Sequence, residues 1–365
     1  MQDISLWDQQ LQGILAAEGP FVSLYLNTEV TSEASPHDIE LRWRALRKQA
    51  EDKGAVQSAL VALDAQIDGS HKRGQGLVAI ANTEEVLLTR NLSRGVRDQI
   101  AFGALPHLAP LIEWRQGHPS YVLVLADRVG ADIYVAHAYR RGETVSVDGE
   151  SGPDIRSSSA EESPGHDQQR AENLWESNAA EVAGEVADIV RAQGTELIAV
   201  AGDVRAVGFL REHLPEKMRA SVLEVEGARA NTYEDVQKDL EQTLAAFEAR
   251  TTEAVIEVFR SGGGQQHLAA EGIGATLDAL RKAQVDTLLL APRGEDDRDA
   301  WFAVSEPSQA ATDRELLAGL GIEGLAQGPL QDVLVRSAYA TGAKVRVVPH
   351  EQSPSEGVGA ILRYQ

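Results

Sequence analysis

The order of apolar and polar positions along the chain predicts alternating strands and helices. Short apolar runs bounded by turn residues predict strands at 21–26, 121–127, 197–201 and 287–291. Between such runs, apolar positions recur every three to four residues, as they do over 36–53, which predicts helices. This alternation is typical of α/β proteins, in which helices cover the faces of partly parallel sheets.

Turn signals and changes in composition divide the chain into three predicted domains. The first, 1–117, is expected to be α+β and ends at a Gly-His-Pro sequence. The second covers 118–250 and includes a stretch rich in Gly, Ser, Pro, Glu and Asp at 149–170, which predicts a mobile loop. The third covers 251–365 and is expected to be a small α/β sandwich.

Several local elements are predicted with defined bounds. A β-hairpin is expected from the two apolar runs at 77–80 and 85–88. Helices are expected at 178–192, at 265–282 after a glycine break, and at 329–340 with a proline in the first turn. The chain is expected to end on a turn followed by a strand.

The charge of the chain limits which partners are expected. The formal net charge is −22, and 43% of the residues are apolar, which is enough for folded cores. Such acidity indicates a soluble protein and disfavours nonspecific binding to DNA, although local basic patches can still contact RNA. The sequence has no cysteine, no apolar run of membrane-spanning length and no recognisable signal peptide. We therefore expect a cytoplasmic protein that does not bind membranes.

Sequence motifs for common enzyme chemistry are absent. The chain has no phosphate-binding P-loop and no nucleophile elbow, and its histidines lack metal-ligand spacing. Gly272 and Gly274 lie in a helical pattern without the third glycine of a dinucleotide-binding loop, so they are expected to permit close helix packing. Asp127, Asp203 and Glu224 follow or end strands and are candidates for a carboxylate site, or else for helix caps. We predict no catalytic residue, metal or cofactor.

The C-terminal sequence resembles that of archaeo-eukaryotic class 1 release factors. The tail 357–364 reads Gly-Val-Gly-Ala-Ile-Leu-Arg-Tyr, and the segments 338–348, 272–280 and 285–290 resemble the helices and strands of the same family domain. The resemblance implies a ribonuclease H-like fold for the middle domain. Among bacterial members it is strongest to the actinobacterial branch related to Balon, a group of ribosome hibernation factors. It implies binding to vacant 70S ribosomes and association with elongation factor Tu.

Two glutamine clusters compete for the position of the family's Gly-Gly-Gln tip. The tripeptide 263–265 matches it literally, but the resemblance places this tripeptide at the start of the third domain, where we expect a helix to begin. The equivalent of the catalytic loop is 149–170, where the tripeptide is degenerate and Asp167 replaces a glycine. The residues expected to enter the peptidyl-transferase centre are Arg156, Gly165, His166, Gln168, Gln169 and Arg170.

Two basic clusters in the first domain are candidates for contact with 16S or 23S rRNA. The first lies on the predicted helix over 36–53, where Arg44, Arg47 and Lys48 share one face and Arg42 lies nearby. The second is a basic turn made of His71, Lys72 and Arg73. Both clusters could instead be solvated or form surface ion pairs, since Glu40 and Glu51 flank the first.

Three functions are consistent with the sequence. The leading hypothesis is a hibernation factor that occupies the A site of idle ribosomes without catalysis. A second is a peptidyl-tRNA hydrolase for release or rescue, and a third is an adaptor protein without ribosome contact. The degenerate tripeptide favours the first over the second.

Overall fold

The chain folds into two compact units, residues 1–117 together with 249–365, and residues 118–248. The computed structural model describes residues 6–30, 35–137, 140–148, 164–263, 268–292 and 298–364. Within these ranges, no helix is long and apolar enough to cross a membrane. The predicted division into three domains stays a prediction.

The N-terminal part of the first unit is built on an antiparallel sheet with strand order β3-β2-β1-β4. Its elements are α1 (Leu6–Ala16), β1 (Phe21–Asn27), α2 (Pro36–Asp52), α3 (Gln57–Ile67), β2 (Gly76–Ala81), β3 (Val86–Leu92), β4 (Gln99–Gly103) and α4 (Ala109–Gly117). The predicted β2–β3 hairpin is confirmed, with Ala79 opposite Thr89. Buried side chains of α2 and α3, including Trp43 and Leu60, pack on one face of this sheet.

The second unit contains a sheet that changes from antiparallel to parallel. Its elements are β5 (Tyr121–Ala126), β6 (Gly130–His137), β7 (Arg140–Asp148), α5 (Pro164–Gln193), β8 (Leu197–Gly202), α6 (Val204–His213), α7 (Glu216–Arg219), β9 (Val222–Glu224) and the first part of α8 (Tyr233–Gly262). The strand order is β7-β6-β5-β8-β9, with β5, β8 and β9 parallel. This order fits the expected ribonuclease H-like fold.

Apolar side chains cover both faces of this sheet, as predicted. One face packs on α5 and α6 through Val182, Val186 and Leu210, and the other packs on α8 through Val236 and Leu240. Burial on both faces explains why β5 and β8 are almost continuous apolar runs.

The C-terminal part of the first unit contains a mixed sheet and a small antiparallel one. Its elements are the end of α8, β10 (Ala269–Glu271), α9 (Ile273–Arg281), β11 (Val285–Leu290), β12 (Asp299–Ala303), β13 (Ala310–Ala311), α10 (Arg314–Gly319), β14 (Leu325–Pro329), α11 (Leu330–Ala340), β15 (Lys344–Val347) and β16 (Val358–Leu362). The orders are β10-β16-β11-β15 and β13-β12-β14. The predicted final strand is confirmed as β16.

Two element predictions were wrong. The helix predicted over 265–282 begins at Ile273, because Ala269–Glu271 pairs as a strand with β16. The loop predicted over 149–170 ends earlier, because α5 begins at Pro164. Proline fits the first turn of a helix, where its missing N–H has no helical acceptor, so the polar sequence after Pro164 does not prevent helix formation. Residues 149–163 lie outside the described residues.

Candidate functional site

The candidate site lies in the second unit, where β5 and β8 end side by side. Ala126 pairs with Gly202, and Asp127 and Asp203 follow these two residues. Gly202 has φ +143°, and a Cβ there would lie 1.8 Å from the carbonyl oxygen of Ala126. Only glycine permits so close an approach, which brings the two aspartates to the same edge of the sheet.

Asp203 is the N-cap of α6. Its carboxylate accepts hydrogen bonds from the backbone N–H of Arg205 at 3.0 Å and of Ala206 at 3.4 Å, and from Arg128 Nη2 at 3.0 Å. Burial raises the pKa of Asp203, but the bonds from Arg128 and the two N–H groups outweigh this and hold the pKa below its usual value. Asp203 is therefore an ionised helix cap.

Asp127 organises the turn between β5 and β6. It accepts the backbone N–H groups of Val129 and Gly130, both at 2.8 Å, and an Arg229 Nη1–H at 3.2 Å. Burial raises the pKa of Asp127, but these three donors outweigh it and keep the carboxyl ionised. Arg229 also pairs with Asp148, at the end of β7, and lies 3.5 Å from Asp132.

The third predicted carboxylate does not join this pair. Glu224 is the last residue of β9 and pairs with Val200, which lies two residues before the end of β8. Its carboxylate forms an ion pair with Arg211 at 3.2 Å. Within the part of the chain that the structure describes, no group of acidic and histidine side chains could hold a metal ion. The carboxylates act as caps and ion-pair partners in the described structure.

The start of α5 contains most residues predicted to enter the peptidyl-transferase centre. The backbone of Gly165, His166, Gln168 and Gln169 is helical from Pro164 onwards. Arg170 is exposed on the same helix, whereas Arg156 lies outside the described residues. Gly165, His166, Gln168, Gln169 and Arg170 therefore belong to the first two turns of α5, so the prediction that they lie in a loop was wrong.

Side chains that the sequence did not single out hold the third and fourth turns of α5 against the sheet edge. The guanidinium of Arg128 lies 4.5 Å from the ring centroid of Trp175, and the Arg128 carbonyl accepts a bond from Asn178. Arg205 pairs with Glu172 at 3.1 Å, which links α6 to α5. We call Asp127, Arg128, Asp132, Asp148, Glu172, Trp175, Asp203, Arg205 and Arg229 the loop base, because they form connected ion pairs and contacts at this edge of the sheet.

The loop base carries more acidic than basic side chains. Its described members include five carboxylates and three guanidinium groups, which pair with one another. An RNA phosphate would meet no excess of positive charge here. The loop base is therefore a network of paired charges at this edge of the sheet.

The predicted basic cluster on α2 is largely paired with acids. Arg42 lies 3.3 Å from Asp98, and Arg44 lies 3.6 Å from Glu40. Arg47 contacts Glu51 and lies 3.1 Å from Asp64. Lys48 is exposed.

In the predicted basic turn, Lys72 is exposed to solvent, whereas Arg73 is hydrogen-bonded to the backbone. His71 and Lys72 belong to a short 3-10 helix, and Lys72 is exposed. Arg73 donates to the backbone carbonyls of Gln66 at 2.8 Å and Asp68 at 2.9 Å. Arg73 thus fixes the turn against the end of α3.

The second glutamine cluster lies outside the candidate site. Gly262 ends α8, while Gly264 and Gln265 lie outside the described residues. The helix expected to begin at Gln265 begins at Ile273 instead.

The fold around this site is a mixed α/β fold, and the segment that contains it is similar to a release factor-like family. Residues 120–265 match the model for bacterial archaeo-eukaryotic release factor family 2, which confirms the predicted resemblance to a release factor-like family. The match covers all described residues of the loop base.

Two kinds of relative span the chain. The uncharacterized protein Rv2629 of Mycobacterium tuberculosis is 28% identical over 372 residues, covering 98% of this chain and 96% of its own. Among solved structures, archaeal translation termination factor aRF1 is 15% identical with a TM-score of 0.26, over 98% of this chain and 96% of its own. Archaeoglobus fulgidus Pelota is 14% identical with a TM-score of 0.30, over 98% and 92%.

Proposed function

We propose that this protein binds ribosomes and occupies the A site of idle 70S ribosomes without catalysing peptidyl-tRNA hydrolysis. The observation that carries the proposal is the release factor-like segment 120–265, whose sequence at the position of the catalytic tip lacks an intact Gly-Gly-Gln. On this proposal the protein is cytoplasmic and associates with elongation factor Tu, as the sequence resemblance implies.

The backbone at the start of α5 supports occupation rather than catalysis. A Gly-Gly-Gln tip works because glycines let the bare backbone approach RNA closely. The backbone of 164–170 is instead wound into a helix. Asp167 adds a carboxylate beside Gln168. Orienting a water on an ester needs a donor and an acceptor within hydrogen-bond distance, and a misplacement of about 1 Å costs roughly a hundredfold in rate.

The charge distribution supports RNA contact through the N-terminal part of the first unit. Residues 118–248 contain 12 Lys and Arg against 25 Asp and Glu, whereas 1–117 contain 11 against 15. Repulsion between phosphate and the acidic second unit has to be offset elsewhere. The predicted basic side chains of α2 and of the turn at 71–73 are the candidates for contact with 16S and 23S rRNA.

A peptide-release assay tests the absence of catalysis. We expect the wild type to release no labelled peptide from ribosome-bound peptidyl-tRNA above background, while still co-sedimenting with those ribosomes. Matched variants are Gln168→Ala with Gln169→Ala, and Gln265→Ala as the control at the other cluster.

Each other outcome identifies a different function. Release by the wild type that is lost on changing Gln168 and Gln169 would establish a hydrolase acting in release or rescue. Release lost only with Gln265→Ala would assign the tip to the other cluster. No co-sedimentation, with or without elongation factor Tu, would favour an adaptor protein.

A further inference from the structure

The connection between β3 and β4 brings additional basic residues to the predicted basic turn. The strand order β3-β2-β1-β4 requires the chain to cross the ends of β2 and β1 between Leu92 and Gln99. At that end of the sheet β1 finishes at Asn27, and β2 begins at Gly76 directly after the turn that holds His71 and Lys72. The crossover carries Arg94 and Arg97, both exposed.

Specific contacts fix the crossover in this position. Asp98 accepts the backbone N–H of Asn27 at 2.6 Å and lies 3.3 Å from Arg42 of α2. A Cβ on Gly76 would lie 2.9 Å from the Arg94 carbonyl oxygen, and one on Gly95 would lie 3.2 Å from the Asn27 side chain. The crossover is therefore held close against the sheet end, and Arg42 acts as its brace.

Arg73 braces the other side of the same surface. Besides its bonds to the end of α3, its Nε donates to the Asn91 side chain of β3 at 3.4 Å. With three protein acceptors, Arg73 positions the turn, and Lys72 beside it is left exposed to solvent.

The charge at this end of the sheet has the opposite sign to that of the whole chain. Among the described residues, the basic side chains here are Arg42, Lys72, Arg73, Arg94 and Arg97, and the acidic side chains at the same end are Glu29, Asp38, Asp68 and Asp98. Asp98 is already bonded to Asn27 and Arg42. These described side chains thus carry a local excess of one positive charge, in a chain whose net charge is −22.

The exposed face of α2 that carries Arg44, Arg47 and Lys48 has no excess of positive charge. Arg44, Arg47 and Lys48 share their surface with three carboxylates, Glu40, Glu51 and Asp64, and the two arginines pair with them. Exposed ion pairs of this kind contribute little to stability, but they compete with phosphate for the same donors.

We infer that the sheet-end surface, formed by His71, Lys72, Arg94 and Arg97 and braced by Arg42 and Arg73, binds RNA phosphate. The inference rests on the proposed function and deepens it, because it selects one of two predicted clusters and adds two arginines. Arginine and lysine on short, fixed connections suit contact with a phosphate backbone irrespective of base sequence. Each phosphate contact releases counterions, so the contribution of this surface falls as salt rises.

Two matched double charge reversals test the inference. Lys72→Glu with Arg97→Glu changes the sheet-end surface, and Arg44→Glu with Lys48→Glu changes α2 by the same charge. Binding of each full-length variant to vacant 70S ribosomes and to free 16S rRNA is measured over a salt series at constant magnesium. We expect the sheet-end variant to bind about tenfold or more weakly at low salt, with a log–log salt slope reduced by about two. The α2 variant should keep the wild-type slope.

The outcomes separate this inference from the proposed function. Wild-type affinity in the sheet-end variant, or equal losses in both variants, overturns the inference while ribosome binding stands. Binding to free 16S rRNA but not to ribosomes, lost in the sheet-end variant, supports the surface and overturns the ribosomal proposal. Wild-type protein that binds neither probe overturns both. If far-ultraviolet circular dichroism shows misfolding of the sheet-end variant, Lys72→Gln with Arg97→Gln replaces it, with the same expected slope change.

Discussion

At the scale of single residues, Asp127 and Asp203 follow β5 and β8, where two neighbouring carboxylates were candidates for a site, and both accept hydrogen bonds that hold the local structure. Asp203 accepts two backbone N–H groups at the start of α6 and an Arg128 guanidinium. Asp127 accepts two N–H groups of its own turn and Arg229. These donors hold Asp203 as a helix cap and Asp127 as the organising residue of its turn.

Asp203→Ala should destabilise the second unit by about 1 kcal/mol at neutral pH, since the variant loses a helix N-cap. The folded-state pKa of Asp203 is below its usual value of 3.8. A depressed carboxyl pKa stabilises the fold fully above the unfolded-state value and ceases to do so as pH falls through the folded-state value. In urea unfolding, the free energy of unfolding of the wild type should therefore exceed that of the variant at pH 7, and this difference should shrink below pH 3.8. A difference that is independent of pH would contradict the role of the ionised carboxylate.

The sequence predicts part of this residue-scale arrangement. Asp203 follows an apolar run and a glycine and precedes a helical pattern, which is a local signal for an N-cap. Arg128 lies in the same recognisable turn as Asp127. Arg229 and Trp175 carry no local signal, because their partners are 102 residues away in one case and 47 in the other. Such pairs form only when the sheet brings distant segments together.

At the scale of elements, the starts of α5 and α9 were the least predictable from sequence. The composition after Pro164 indicates a loop, yet α5 forms there and is joined to α6 through Glu172 and Arg205. At α9, Gly272 precedes the helix, and the carboxylate of Glu356 accepts the Ile273 N–H at 3.0 Å. A distant segment supplies this helix cap, so no pattern near Gly272 could reveal it.

Two glycine substitutions at α9 should have different effects. Gly272 has φ +83°, and a Cβ there would lie 2.7 Å from Glu356 Oε2, so Gly272→Ala should destabilise the first unit by about 1–3 kcal/mol. Gly274 has no heavy atom within 4 Å of such a Cβ, which contradicts its expected role in close helix packing. Gly274→Ala should be neutral or stabilising by up to about 1 kcal/mol, since alanine is the better helix former.

Thermal or urea unfolding of the two purified variants measures this difference. Equal stability of Gly272→Ala and Gly274→Ala would show that the backbone at Gly272 is not constrained as described.

At the scale of the whole molecule, the two ends of the chain form one compact unit. His107 Nδ1 lies 2.6 Å from Asp332 Oδ1, with the side chains only 1% and 3% exposed. The Gln116 side chain both accepts the Val347 N–H at 2.8 Å and donates to the Val347 carbonyl at 3.0 Å. These contacts link residues more than 200 positions apart. Sequence patterns predicted the elements of both ends but could not predict this pairing, because it depends on tertiary contact alone.

Asp332→Ala should destabilise the first unit by about 3–5 kcal/mol, because it leaves a buried polar partner without its counterpart. The control is His107→Leu with Asp332→Leu, which removes both polar groups and should cost less than the single change. Hydrogen exchange should increase in both 1–117 and 249–365 in the single variant. An increase confined to one of these segments would show that they do not unfold together.

The most direct test of the central claim is a cryo-EM map of the full-length protein mixed with vacant 70S ribosomes. The account predicts density for the protein in the A site, with Lys72, Arg94 and Arg97 near RNA phosphates and the start of α5 directed towards the peptidyl-transferase centre. Ribosomes whose A site is empty at saturating protein, or density in which the acidic second unit alone contacts a ribosomal protein, would contradict it.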